Sequence, residues 1–267
     1  MIGASRTRPS GQNAPMTSVR DHVILVTGGS RGIGAATARL AAAQGYAVAI
    51  NYASNTEAAD EVVEQCLASG TRAFAHRADV ADERAVVAMF DAVEEALGPV
   101  DVLVNNAGVL QTQMRFEEMS VARWRAVFEV NVIGAFLCAR EAVRRMSSRH
   151  GGAGGASGNV STAAAYIGSP EEYVAYAASK AALDTMTIGL GKEVATEGIR
   201  VNAVRPGLIH TGIHASGGEP DRVARLAPTV PMQRGGAPDE VARTILWLAS
   251  DEASYVTATT LDVTGGR

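Results

Sequence analysis

From His22 onward, short apolar or β-branched runs alternate with longer stretches whose apolar residues recur at helical spacing. His22 to Thr27 predicts a strand, Gly32 to Gln44 a helix, Ala47 to Asn51 a strand, and Thr56 to Ala68 a helix opened by Asn55 or Ser54. The rhythm repeats, with further strands predicted at Ala73 to His76, Val100 to Val104, Asn159 to Ser161, Val201 to Val204 and Thr260 to Val263. Strands separated in this way by helices pair in parallel through right-handed crossovers. The expected fold class is therefore α/β, a single domain with a doubly wound, mostly parallel sheet of seven strands and helices on both faces. In such a sheet a ligand lies at the carboxyl ends of the strands.

The first twenty residues do not share the pattern. They carry Arg6, Arg8 and Arg20, two prolines and no acidic residue, and they lack the continuous apolar run of a secretory signal. Residues 1–20 are expected to form a disordered extension, and residues 21–267 the folded domain. Translation starting at Met16 would remove most of that extension.

Composition excludes some classes of function. Among 267 residues, 47% are hydrophobic and 19% charged, enough to bury a large core, and the net charge of −4 gives no electrostatic reason to bind nucleic acid. No apolar run reaches the roughly 20 residues of a membrane-crossing helix, so a cytoplasmic protein is expected. Cys66 and Cys138 fall in helix-like apolar patterns without metal or redox spacing, and they read as reduced core thiols. No metal site is expected.

The chemistry begins at Thr27-Gly28-Gly29-Ser30-Arg31-Gly32-Ile33-Gly34, which directly follows the first predicted strand and opens the first helix. Glycine there permits a tight turn at Gly28, close approach to phosphate oxygens at Gly32 and close helix packing at Gly34, while free helix N–H groups face an anion. Placement within a βαβ unit makes this a dinucleotide-binding turn of the Rossmann type. The second strand ends Ile50-Asn51-Tyr52-Ala53-Ser54, with no carboxylate until Glu57. An acid at that place binds the ribose hydroxyls of NAD, and its absence lets a 2′-phosphate enter. With Arg31 to attract that phosphate and Asn51 and Ser54 as hydrogen-bond donors, the expected cofactor is NADP(H) rather than NAD(H).

Further along, Tyr176 and Lys180 stand four residues apart, a spacing that places both on one helix face. An ammonium close to a phenol favours the phenolate and brings it nearer to useful acid/base range.

On these residues the chain resembles the short-chain dehydrogenase/reductases, from about residue 20 to its end. The glycine turn at Thr27 to Gly34 matches the family's, as do Asp79-Val80 near the adenine, Asn105-Asn106-Ala107-Gly108, the helix asparagine Asn131 and the Tyr176/Lys180 pair. Pro206-Gly207, followed by Ile209 and Thr211, matches the segment that meets the nicotinamide. The stretches Asn51 to Ser54, Gly168 to Lys180 and Arg205 to Gly218 look like bacterial glucose 1-dehydrogenase-like or 3-oxoacyl-ACP-reductase-like oxidoreductases. The resemblance implies that Tyr176 protonates a carbonyl oxygen as hydride arrives. It implies that Lys180 lowers the tyrosine pKa and holds the nicotinamide ribose, and that Asn131 helps to hold a water on Lys180.

One position departs from the family. Thirteen residues before Tyr176, where the family has its serine, stands Ala163. Counting from Asn159-Val160-Ser161-Thr162 instead places Thr162 there, with Ser161 as the alternative whose side chain points to the other sheet face if the strand is regular. The polar Ala156-Ser157-Gly158 puts that regularity in question, so an altered register and reduced activity are expected.

The substrate is open among a ketone, a sugar and a β-ketoacyl thioester. Tyr166, Ser169 and Tyr173 are candidates to shape the pocket. His210 and His214, in a glycine-rich stretch suited to a mobile lid, read as solvent-facing before they read as substrate contacts. One long helix is expected from Ser120 to about Ser148 and another from Tyr176 to Thr196; in the family such helices pack between copies as homotetramers. The alternative to an enzyme is a nucleotide-binding regulatory protein on the same scaffold.

Overall fold

The computed structural model describes residues 22–267. The expected extension over residues 1–20 lies outside the described residues. The strands are β1 (Val23–Val26), β2 (Ala47–Tyr52), β3 (Ala73–Arg77), β4 (Val100–Asn105), β5 (Gly155–Val160), β6 (Ile199–Pro206) and β7 (Thr260–Val263). All pair in parallel, in the order β3-β2-β1-β4-β5-β6-β7. The order reverses between β1 and β4, which opens a crevice at their carboxyl ends.

Helices α1 (Gly32–Ala43), α2 (Thr56–Leu67) and α3 (Glu83–Leu97) cross over between the first four strands. Asn55 caps α2 by accepting from the Ala58 N–H, and Asp82 caps α3 by accepting from the Arg84 and Ala85 N–H groups. Each sheet face carries its own core. Ile24, Val26, Val48 and Ile50 meet the small face of α1 and Ile245 and Leu246 of α10 (Pro238–Ala249), while Val23, Leu25 and Leu103 meet Met89 and Phe90 of α3 and Met146.

The expected long helix from Ser120 to Ser148 is interrupted. It runs as α4 (Val121–Phe128), a π turn over Glu129–Gly134 and α5 (Ala135–Met146). A π turn carries one extra residue, and it offsets the face of α5 from that of α4. Close packing accompanies it, because a Cβ at Gly134 would meet the Val80 side chain at 2.7 Å. Downstream, the short α6 (Ala164–Ile167) precedes α7 (Val174–Glu193), and α8 (Ile213–Ser216) and α9 (Arg222–Leu226) lie beyond β6.

The irregularity expected in β5 is absent. The strand begins at Gly155, earlier than Asn159, and pairs in unbroken register with β4 and β6. Backbone pairing on both sides holds a polar segment that lacks apolar side chains to specify it. A chain of buried amides helps: Asn105 donates to the Asn159 carboxamide at 3.1 Å, and Asn159 donates to Thr187 Oγ1 at 2.8 Å. The register shift in the sheet falls instead between β1 and β4, at Val23 and Ile24.

Candidate active site

A cleft of about 460 Å³ runs along the carboxyl ends of the strands. One end is the glycine turn between β1 and α1. Gly28 and Gly32 have φ of +61° and +56°, the left-handed region that favours glycine. At Gly34 a Cβ would lie 2.5 Å from both the Asn106 Nδ2 and the Gly28 carbonyl oxygen, so this glycine is required for packing and does not line the cleft.

The turn is clamped from β4. Thr27 Oγ1 accepts from the N–H groups of Asn106 and Ala107, both at 3.0 Å, and Asn106 Nδ2 donates to the carbonyls of Thr27 and Gly28 at 2.9 and 3.0 Å. Asn51, expected as a donor to cofactor, spends one of its two N–H groups on the protein: Nδ2 donates to the Ala78 carbonyl at 2.9 Å, and Oδ1 accepts from the Gly28 N–H at 3.3 Å. Both asparagines therefore hold the turn in shape from the cleft wall. Ser30, Arg31, Gly32, Ile33, Tyr52, Ser54, Asp79 and Val80 line the same end, and Arg31 is exposed and makes no ion pair among the described residues. Ala107, Gly108, Pro206, Gly207, Ile209 and Thr211 line the middle.

Tyr176 and Lys180 both project from α7 into the cleft. The two candidate hydroxyls before α7 are separated by the alternation of the chain. Both residues border the cleft, but Ser161 Oγ is buried and donates to the Lys180 carbonyl at 3.2 Å, whereas the half-buried Thr162 accepts from the Ala164 N–H at 3.2 Å and keeps its hydroxyl near enough to the Tyr176 phenol to favour the phenolate. Lys180 is only 3% exposed, and its ammonium donates to the Val160 carbonyl at 2.7 Å.

Burial sets the electrostatics. It pushes the Tyr176 phenol up to about 12, with only the nearby Thr162 hydroxyl lowering it, and it pulls Lys180 down to about 8 against the attraction of Asp184. The expected lowering of Tyr176 by Lys180 is therefore absent from this arrangement. Desolvation dominates, leaving a protonated phenol at neutral pH.

Asn131 sits in the π turn, fully buried and behind the cleft wall. Its carboxamide accepts from the Val109 N–H at 2.8 Å and donates to the Val109 carbonyl at 3.1 Å and to Ser179 Oγ at 3.0 Å. It braces the loop after β4 against α7. A Cβ on Gly108 would lie 3.3 Å from both Asn131 Oδ1 and Lys180 Nζ, so glycine keeps these groups close.

At the far end, the reading of both lid histidines as solvent-facing holds only for His210. His214 is buried at 9% exposure and lines the cleft, because its Nε2 reaches the Ile209 carbonyl at 3.0 Å. Ser169 and Tyr173 line the cleft, while Tyr166 instead donates to the Arg267 carbonyl at 2.7 Å. Sequence reasoning missed Arg222. Its guanidinium reaches the cleft, bonds Glu172, holds Glu219 at 2.8 Å and lies 5.0 Å from the Tyr173 ring centre. Its pairing with Glu219, three residues away, is local, but nothing in the sequence announces the contact with Glu172, fifty residues distant.

A phosphate-shaped glycine turn, a cleft tyrosine beside a buried lysine and a helix-borne asparagine brace on a doubly wound parallel sheet define a nucleotide-dependent oxidoreductase site, and the chain belongs to the short-chain dehydrogenase/reductase family. The matching family model, described as Enoyl-(Acyl carrier protein) reductase, spans residues 28–267. An Escherichia coli K12 protein named uncharacterized oxidoreductase YgfF is 56% identical over 92% of this chain and 99% of its own. The 3beta-hydroxysteroid dehydrogenase 1 of Eggerthella lenta is 40% identical over 93% and 94%. Among solved structures, a short chain dehydrogenase from Burkholderia cenocepacia J2315 in complex with NADP superposes with a TM-score of 0.85 at 34% identity, covering 94% of this chain and 99% of that one. Among the described residues, no helix is long and apolar enough to cross a membrane.

Proposed function

We propose that this protein is an NADP(H)-dependent oxidoreductase that interconverts a carbonyl group and a secondary alcohol, acting through residues 21–267. The observation that carries the reading is the Tyr176 phenol, with the Thr162 hydroxyl beside it, in a cleft continuous with the glycine turn. The residues present fit the cofactor: left-handed glycines at 28 and 32 open the turn to phosphate, and Arg31 stands free beside a strand end without a carboxylate. The Burkholderia relative binds NADP at the same fold.

When bound, the nicotinamide supplies or accepts hydride. Thr162 holds the substrate oxygen against Tyr176, and Tyr176 donates its phenolic proton to that oxygen in reduction and takes it back in oxidation. A phenol raised to about 12 is fully protonated at neutral pH, which suits the reductive direction. Lys180 orients the ribose and, with Asn131 supporting its surroundings, provides the route by which the phenol is reprotonated. Retention of all four groups favours an enzyme over a regulatory nucleotide-binding protein.

Two further readings belong to the same proposal. Val121, Phe128, Ile133 and Phe136 on the α4–α5 segment and Ile188 on α7 are exposed apolar side chains, as are Met232, Trp247 and Leu261 elsewhere. Two such faces suit a homotetramer, and light scattering at about four chain masses would support it. Cys66 and Cys138 are buried and unpaired, which suits the reducing cytoplasm.

The test is loss of reduced-nicotinamide absorbance with NADPH and NADH against ketones, aldehydes and β-ketoacyl thioesters, with sugars and alcohols run oxidatively. Turnover with NADPH that disappears in Tyr176→Phe is expected. NADPH binding without turnover of any panel member would favour the regulatory reading.

A further inference from the structure

The carboxyl end of β6 carries a cation that stands behind the cleft wall. Val201 shares a core with Leu190 of α7, and strand alternation puts Arg205 on that same face, directly before Pro206 and Gly207 of the cleft. Its Nε donates to Asp184 Oδ2 at 2.9 Å, its Nη1 lies 3.5 Å from Asp262 Oδ1, and its Cζ stands 5.5 Å from the Tyr166 ring centre. One side chain thus touches α7, β7 and α6, and α6 begins two residues after Thr162.

Asp184 depends on this contact. It lies one turn beyond Lys180 and two beyond Tyr176 on α7, at 7% exposure. Its Oδ2 is held by Arg205, and its Oδ1 is buried with no hydrogen-bond partner among the described residues. Lys180 does not pair with it, because the ammonium is turned to the Val160 carbonyl. A carboxylate buried in this way needs its cation, since a charge left uncompensated away from water is strongly unfavourable. Burial opposes the Arg205 charge, yet Asp184 and Asp262 hold its pKa above the ordinary value, so the neutralising cation persists.

We propose that Arg205 is a positioning residue for the reaction: by neutralising Asp184 it keeps α7 seated on β6, and so holds Tyr176 and Lys180 in place across the cleft from Pro206 and Gly207. The inference rests on the oxidoreductase reading above and adds to it a residue that acts from outside the cleft. Without Arg205 the Asp184 carboxylate must reach water, and α7 shifts to let it. Misplacing a catalytic group by about 1 Å can cost on the order of 100-fold in rate.

The experiment uses the full chain with NADPH and the carbonyl compound that the wild type turns over best. Arg205→Met should lower kcat by about 10- to 100-fold, while KM and NADPH affinity, read by fluorescence titration, stay within about threefold. Adding Asp184→Asn removes the stranded charge and should restore most of kcat, a recovery that a general loss of packing would not give. Arg205→Gln, which keeps a donor for Asp184 but no charge, should fall between. Amide hydrogen exchange on the ligand-free protein is the second readout: residues 176–184 should exchange faster in Arg205→Met and recover in the double variant. A kcat within about threefold of the wild type in folded Arg205→Met, or a loss that Asp184→Asn does not relieve, overturns the inference and leaves the oxidoreductase reading intact. If Arg205→Met does not fold, the same criterion applies to Arg205→Gln. Absence of turnover in the wild type across the carbonyl panel overturns both.

Discussion

The Lys180 ammonium donates to the Val160 carbonyl at 2.7 Å, tying α7 to the end of β5 from a position that is 3% exposed. One buried charge thus links the helix carrying Tyr176 to the strand leading to Thr162. Its burial has a consequence for stability. Lys180 falls from its ordinary 10.5 to about 8, so between those values the unfolded chain holds a proton that the folded one has released, and stability contributed by this group rises with pH. Below about 8 both states are protonated and the cost of burying the ammonium is constant. We expect the stability of the ligand-free wild type relative to Lys180→Met to increase by about 2 kcal/mol from pH 8 to 10. Denaturant melts across that range check it. Taking the difference removes Cys66 and Cys138, whose thiols burial raises to about 11 and about 12 and which act in the opposite sense above 9.

Arg31 is exposed at the cleft and makes no ion pair among the described residues, so its removal should cost little stability. Losing a charge-assisted phosphate contact worth roughly 1.5–3 kcal/mol predicts a 10- to 100-fold weaker NADPH affinity in Arg31→Ala. NADH affinity should change less than threefold. Fluorescence titration with both cofactors decides it, and equal losses would remove Arg31 from phosphate recognition. Asn51→Asp is a poorer test, because Asn51 Nδ2 holds the Ala78 carbonyl and an aspartate there would lose that bond.

Arg222 is 7% exposed and joins Glu219, within the lid segment, to Glu172, four residues before Tyr176. Glu219 itself is held down to about 2, first by its hydrogen bond from Arg225. Arg222→Met removes the buried partner of Glu172 and Glu219 but leaves both with Arg225, so the cost should fall below the roughly 3–5 kcal/mol of a buried pair that loses one member outright. A lower melting temperature and faster proteolysis within residues 213–229 are expected. Glu172→Gln should show a smaller effect, because Arg222 keeps Glu219.

Gly158 lies in β5 beside a small cavity lined by Ser157 and Ile245, and a Cβ there would meet its nearest atoms at 3.9 Å, ordinary contact. Its backbone is not in the left-handed region. Gly158→Ala should therefore stabilise by about 0.5–1 kcal/mol through reduced freedom of the unfolded chain, raising the melting temperature by roughly 1–2 °C. Calorimetry would reveal the sign.

Alternation of apolar strands with helical periodicity was enough to determine the parallel sheet, because each run can bury its side chains in only one such layered arrangement. The glycine turn and the Tyr176/Lys180 pair were equally legible, being local devices whose geometry follows from spacing. Beyond them, tertiary contacts decided the outcome. The π turn at Glu129–Gly134 looked like plain helix in sequence, since the one-residue phase shift it introduces is small against the ordinary irregularity of an apolar pattern. The polar β5 looked doubtful, yet two neighbouring strands hold it in register. Ser161 and Thr162 are adjacent in sequence, and only the packing of α7 on β5 sets one hydroxyl on the Lys180 carbonyl and the other near the Tyr176 phenol. The direction of the Tyr176 and Lys180 shifts, the burial of His214 and the role of Arg222 were beyond any local pattern. Desolvation and long-range ion pairs depend on which distant segments meet, and that is decided only when the chain is folded.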